Sequence, residues 1–102
     1  MLFNLGGDEE LLAQLIEMYA EDEPRLVGDI DAAVKARDAE ALYNAAHALK
    51  GAVSNFCANR AQASALLLER LGREKRMDDA PAALAALHRE LAALREAFAQ
   101  AA

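Results

Sequence analysis

Apolar side chains recur every three or four positions along most of this chain, the period of a helix with one buried face. Leu11, Leu12, Leu15, Ile16 and Tyr19 make the first such stripe. The segment GGDEELLAQLIEMYAED therefore predicts a helix, with Asp8 as its cap and its early acids at the positive end of the helix dipole. Pro24 follows Glu21, Asp22 and Glu23 and reads as a bend or a fresh start. Leu26, Val27, Ile30 and Val34 then predict a second helix over PRLVGDIDAAVKAR. Asp38 fits the N-cap of a third, AEALYNAAHALKGAVSNFCA. A fourth, RAQASALLLERLGRE, opens near Asn59 and is expected to fray from Gly72 to Met77. Asp79 and Pro81 fit the cap and first turn of a fifth, striped by Leu84, Leu87, Leu91, Leu94 and Phe98. Short links make neighbouring amphipathic helices antiparallel. The expected fold is all-α: an antiparallel up-down four-helix bundle with an additional short N-terminal helix as an end cap, over residues 1–102 as one domain.

Composition narrows the setting. A hydrophobic share of 55% in 102 residues is enough for one core and too little length for a second. The net charge of −6 argues against nucleic acid as a partner. That charge is uneven: residues 1–40 hold eleven acids and three bases, residues 41–102 six acids and eight bases. The second part is thus mildly basic and suits an acidic partner. A lone cysteine, Cys57, makes no internal disulfide, so a reducing cytoplasm is the expected location. No apolar run approaches the roughly 20 residues a bilayer span needs, so no membrane insertion is expected, nor export. A bundle with a complete core is expected to be a monomer.

The third helix carries the candidate chemistry. On a wheel of about 100° per residue, Leu42, Ala45, Ala46, Leu49, Val53 and Phe56 share one sector. His47 points about 160° from its centre, among Tyr43, Gly51 and Ser54, with Lys50 nearer the boundary. His47 is therefore expected to be exposed. An interior glycine costs about 1 kcal/mol against alanine, and core packing does not account for one that faces water. Gly51, one turn beyond His47, leaves the ground beside the ring empty, and Ser54 is also small. Lys50 at i+3 can bring its ammonium close to a group bonded to the ring. A neutral imidazole nitrogen with a cation beside it suits acceptance of a phosphoryl group. The competing reading is an ordinary surface histidine beside a tolerated helix defect.

The string AHALKGAVSNFCA resembles the signature of histidine-containing phosphotransfer (HPt) domains, approximately A-H-x-L-K-G-x-(small)-x-x-(apolar)-G-(apolar). Ala46, His47, Leu49, Lys50 and Gly51 match directly, Ser54 falls at the small position and Phe56 at the apolar one. Cys57 stands where that family generally has glycine, which is expected to alter a helix contact and not the site. The segment before His47 is also similar, so the resemblance spans nearly the whole chain. Glu69, in LLLERLGRE, falls where the family often has Glu or Gln on the next helix. The resemblance implies a four-helix bundle that relays phosphoryl groups between receiver-domain aspartates in multistep two-component phosphorelays. His47 would be phosphorylated and Lys50 would assist the phosphoryl group, with Gly51, Ser54, Tyr43 and Glu69 as the partner-binding set. It implies response-regulator receiver domains and a sensor or hybrid histidine kinase as partners, with Mg²⁺ brought by the receiver and no cofactor or metal in this domain.

Other residues carry less. His88 flanks the fifth stripe without a glycine or lysine one turn on, and reads as a surface or boundary residue. A zinc site shared by His47 and His88 is not expected, because His47 points outward with glycine at i+4. Cys57 reads as a packed or boundary residue, and Glu21, Asp22 and Glu23 as a solvated helix end. No nucleotide-binding glycine loop or kinase motif is present, so the chain reads as a carrier and not an enzyme. Two alternatives stay open: a helical protein–protein interaction module without covalent chemistry, and the phosphoacceptor domain of a chemotaxis-type histidine kinase.

Overall fold

A computed structural model describes residues 9–56 and 58–101. Among the described residues four helices follow one another: α1 (Glu9–Ala36), α2 (Ala39–Ser54), α3 (Asn59–Arg73) and α4 (Ala80–Ala101), the last preceded by a 3₁₀ turn at Met77–Asp79. They form an all-α bundle. Its cross-links run antiparallel: His47 to Glu69 between α2 and α3, Arg60 to Glu90 between α3 and α4, and Glu23 to Arg95 with Asp31 to His88 between α1 and α4. The core runs through Ile30, Leu42, Leu49, Val53, Leu68, Leu87 and Leu91, all fully buried. Tyr19, Phe56 and Phe98 close one end edge-to-face, with centroids 4.9 to 5.7 Å apart. Among the described residues no helix is long and apolar enough to cross a membrane.

The first two predicted helices are one. The separate short N-terminal helix is therefore corrected: α1 runs through Pro24 without interruption. Tyr19, Glu23, Leu26, Ile30 and Ala33 are all buried at spacings of three and four, so the stripe keeps a single line across the proline. The proline itself faces solvent. An interior proline costs about 3 kcal/mol, whereas burying each of Tyr19, Leu26 and Ile30 returns roughly 1.5–3 kcal/mol. Burial wins. The predicted cap Asp8 lies outside the described residues, as does Cys57.

Asp38 caps α2 as expected, its Oδ1 accepting from the Ala41 amide at 3.0 Å. Before it, α1 closes with Arg37 at φ 54° and Asp38 N–H donating to Ala33 O at 3.0 Å, an ending usually given to glycine. The same closure, with Lys75 at φ 59° and Arg76 N–H on Leu71 O at 2.8 Å, ends α3. The fraying expected from Gly72 to Met77 is thus replaced by an ordered stop, and Gly72 is buried inside α3. Asp79, expected to cap the last helix, lies in the 3₁₀ turn, where its carboxylate accepts from Arg76 Nε at 3.1 Å and Nη2 at 2.8 Å.

The acid cluster also divides. Glu21 and Asp22 are exposed, but Glu23 is buried mid-helix and bonded to Arg95 of α4. The Tyr19 hydroxyl and Glu23 Oε2 are buried with no hydrogen-bond partner among the described residues. Burial, and then neighbouring Glu23, push the Tyr19 hydroxyl above its ordinary range, with Arg95 opposing.

Candidate functional site

Ala46, Leu49 and Val53 fix the rotation of α2 by burying one face against the bundle. His47 lands on the opposite side, its side chain 62% exposed. A Cβ built on Gly51 meets nothing within 4 Å, so the surface one turn beyond the ring is open. Ser54 turns its hydroxyl back onto its own helix, donating to Gly51 O at 2.7 Å. Tyr43, one turn before, stacks on the imidazole with centroids 6.1 Å apart and planes 16° from parallel. His47, Gly51, Ser54 and Tyr43 therefore lie together along one exposed strip of α2.

Glu69 does not join that strip. Expected among the partner-facing residues, it is only 4% exposed, because α3 presents it toward α2 on the arc that buries Ala65, Leu68 and Gly72. Its Oε1 lies 2.7 Å from His47 Nδ1. Lys50 Nζ donates to the same carboxylate, 2.9 Å from Oε1 and 3.1 Å from Oε2. Lys50 is thus a half-buried counter-ion to Glu69 in this structure, one turn from the ring it was expected to assist.

The trio fixes the ring's chemistry. Burial alone would raise the Glu69 pKa, but hydrogen bonds from Lys50 and then His47 outweigh it and hold the carboxyl below its ordinary range. An ionised carboxylate only accepts hydrogen bonds. The proton in the 2.7 Å contact must sit on Nδ1 of His47, which donates to Oε1. In the neutral ring the lone pair is left on Nε2, at the far edge from Glu69. An exposed, oriented imidazole with a nucleophilic Nε2 and an anion behind it is built for attack on an electrophile, since positive charge developing on the ring is met by Glu69.

The exposure of His47 and its open flank follow from the helical wheel, whereas the burial of Glu69 against His47 is not part of the sequence reading, which names it only among the partner-binding residues. The usable signal was a lone acid among Ala65, Leu68 and Leu71 on the apolar arc of α3. His88 sits elsewhere, bonded through Nε2 to Asp31 at 2.8 Å and tying α4 to α1. A depression lined by Ala58, Ala61, Ala93 and Leu94, with Arg60 and Glu90 on its lining, shares no residue with the His47 trio.

The family model described as the Hpt domain matches residues 14–97. The crystal structure of histidine-containing phosphotransfer protein B from Pseudomonas aeruginosa PAO1 superposes with a TM-score of 0.85 at 31% identity, covering 91% of this chain and 81% of that one. Curated proteins yield no match. A family match over most of the chain, joined to that shared fold, shows that the chain belongs to the Hpt domain family and has a histidine phosphotransfer role in a phosphorelay.

Proposed function

We propose that His47 is the phosphoacceptor and that the chain carries a phosphoryl group from one response-regulator receiver domain to another. Nε2 attacks the phosphorus of an aspartyl phosphate. The P–N bond forms as the P–O bond breaks, and the electron pair leaves with the aspartate carboxylate. The proton stays on Nδ1, so the phosphorylated ring is cationic and is balanced by Glu69. In the reverse sense a second receiver's aspartate takes the group and the neutral ring returns. Lys50 assists by moving its ammonium from Glu69 to the phosphoryl oxygens as they arrive. Gly51 and Ser54 keep the approach clear, and Tyr43 holds the ring plane by stacking.

The observation that carries this reading is the 2.7 Å contact between an exposed imidazole and a buried carboxylate, which leaves Nε2 as the reactive nitrogen. Transfer of this kind depends chiefly on positioning and charge. The receiver supplies Mg²⁺ with its own acids, and the excess of bases over acids in residues 41–102 suits that acidic pocket. A sensor or hybrid kinase stands upstream, and the relay operates in the cytoplasm with this chain as a monomer. Incubation with a phosphorylated receiver and Mg²⁺ tests the proposal. Wild type is expected to gain acid-labile, alkali-stable label and His47→Gln none. Binding without label would leave a plain interaction module in its place.

A further inference from the structure

We infer that Gly72, on α3, is a positioning residue of the His47 site: it sets the spacing between α2 and α3 at which Glu69 reaches the ring. The inference rests on the phosphoacceptor reading only for its kinetic arm.

Glycine is the poorest helix former after proline, yet Gly72 lies inside α3 and is buried. The reason is contact. A Cβ at Gly72 would sit 2.7 Å from the Tyr43 amide nitrogen, 2.8 Å from the Ala39 carbonyl oxygen and 3.1 Å from Tyr43 Cα. Ala39 O and Tyr43 N are four residues apart, the spacing of a helical hydrogen-bond pair, so α3 lies directly against the backbone of α2. A flexible side chain can swing away from an added methyl, but this backbone cannot. Gly28 and Gly51, by contrast, have nothing within 4 Å of such a Cβ.

The seam has two consecutive contacts. Gly72 meets Ala39 and Tyr43; one turn along, Glu69 at i−3 meets His47, which is i+4 from Tyr43. Bringing the 2.7 Å contact out to an ordinary 3.4 Å needs the helices to part by roughly 0.7 Å. The same opening carried one turn along would stretch the 2.7 Å contact between Nδ1 and Oε1 to about 3.4 Å, past the roughly 2.7–3.2 Å of an ordinary N–H···O bond. Released from the carboxylate, the ring would no longer be held with its proton on Nδ1, and Nε2 would lose its fixed lone pair.

The experiment compares ¹⁵N spectra of the histidine rings in the full chain, wild type against Gly72→Ala, at neutral pH. Wild type is expected to show protonated Nδ1 and unprotonated Nε2 at His47. Gly72→Ala is expected to lose that tautomer and to take up phosphate at least tenfold more slowly from phosphoramidate, which passes its phosphoryl group to imidazole and leaves as ammonia. Leu87→Ala, a buried cavity on α4, controls for lost stability and is expected to keep the tautomer. An unchanged tautomer and rate in Gly72→Ala overturns the inference, as does equal disturbance by Leu87→Ala. Should Gly72→Ala not fold, Glu69→Asp withdraws the carboxylate by one methylene while leaving the seam intact. Loss of the tautomer there supports the dependence on spacing, and its retention overturns it. A wild type that phosphate never labels, with the tautomer results as expected, sinks the phosphoacceptor reading and leaves the role of Gly72 standing.

Discussion

His47 and Glu69 make opposite demands on their surroundings, and the site exists because each meets its own. The imidazole must be reachable, and it is 62% exposed; the carboxylate must be shielded from water to act strongly on Nδ1, and it is 4% exposed. Glu69→Gln separates charge from shape. The amide oxygen can still accept from Nδ1, so the ring keeps its orientation, but the cationic phospho-ring loses its counter-charge. Phosphorylation is expected to slow by roughly tenfold, or about 1.4 kcal/mol of barrier, measured as the initial rate of labelling from a phosphorylated receiver. Lys50→Ala acts on the same carboxylate from the other side. It is expected to slow transfer and to lower unfolding stability by about 1–3 kcal/mol, because a buried acceptor loses a charged donor; urea melts and labelling rates on the same samples check it. His47, Gly51 and Ser54 were legible from the helical wheel, since exposure on one helix is a local property. Glu69 was not, because its burial is decided by which side of α3 meets α2.

Among the elements, α1 shows how tertiary burial overrides a local breaker. Pro24 forfeits one backbone hydrogen bond, but Leu26 and Ile30 lie in line with Tyr19 only if the helix does not bend away. With its ring in solvent, Pro24 carries the cost of its missing N–H without packing to compensate. Pro24→Ala is therefore expected to stabilise the protein by about 1–2 kcal/mol, less than the full helix penalty because the proline also restricts the unfolded chain. Thermal melts by circular dichroism should show Tm rising by roughly 4–8 °C per kcal/mol; no change, or a fall, would mean that the proline is needed where it stands. Other boundaries were readable for a simple reason. Asp38 caps α2 through its own side chain, a contact confined to four residues. The end of α3 was read to within a residue, but the constraint on Gly72 was not legible, because it is set by the backbone of α2 across the seam.

Across the whole molecule, buried charge ties the site to stability. Glu69 spans the α2–α3 interface with Lys50 and His47, so folding itself sets its ionisation. Its folded pKa lies below the ordinary value of 4.5 that the unfolded chain retains. Below pH 4.5 the unfolded state therefore takes up a proton before the folded state does, and stability falls as pH falls. The contribution is complete above that value and is lost as pH drops through the folded pKa. Urea unfolding at pH 6, 5, 4 and 3 measures the slope, which the other carboxylates of the chain share. Glu69→Gln removes the titrating group but keeps the side chain's size, so its curve should fall less steeply than wild type between pH 5 and 3, with the two converging at the acid end. Parallel curves would mean that Glu69 ionises alike in both states. The Lys50 and His47 hydrogen bonds would then do no more than cancel the cost of burying the carboxylate, and the trio would add nothing to the acid dependence of stability.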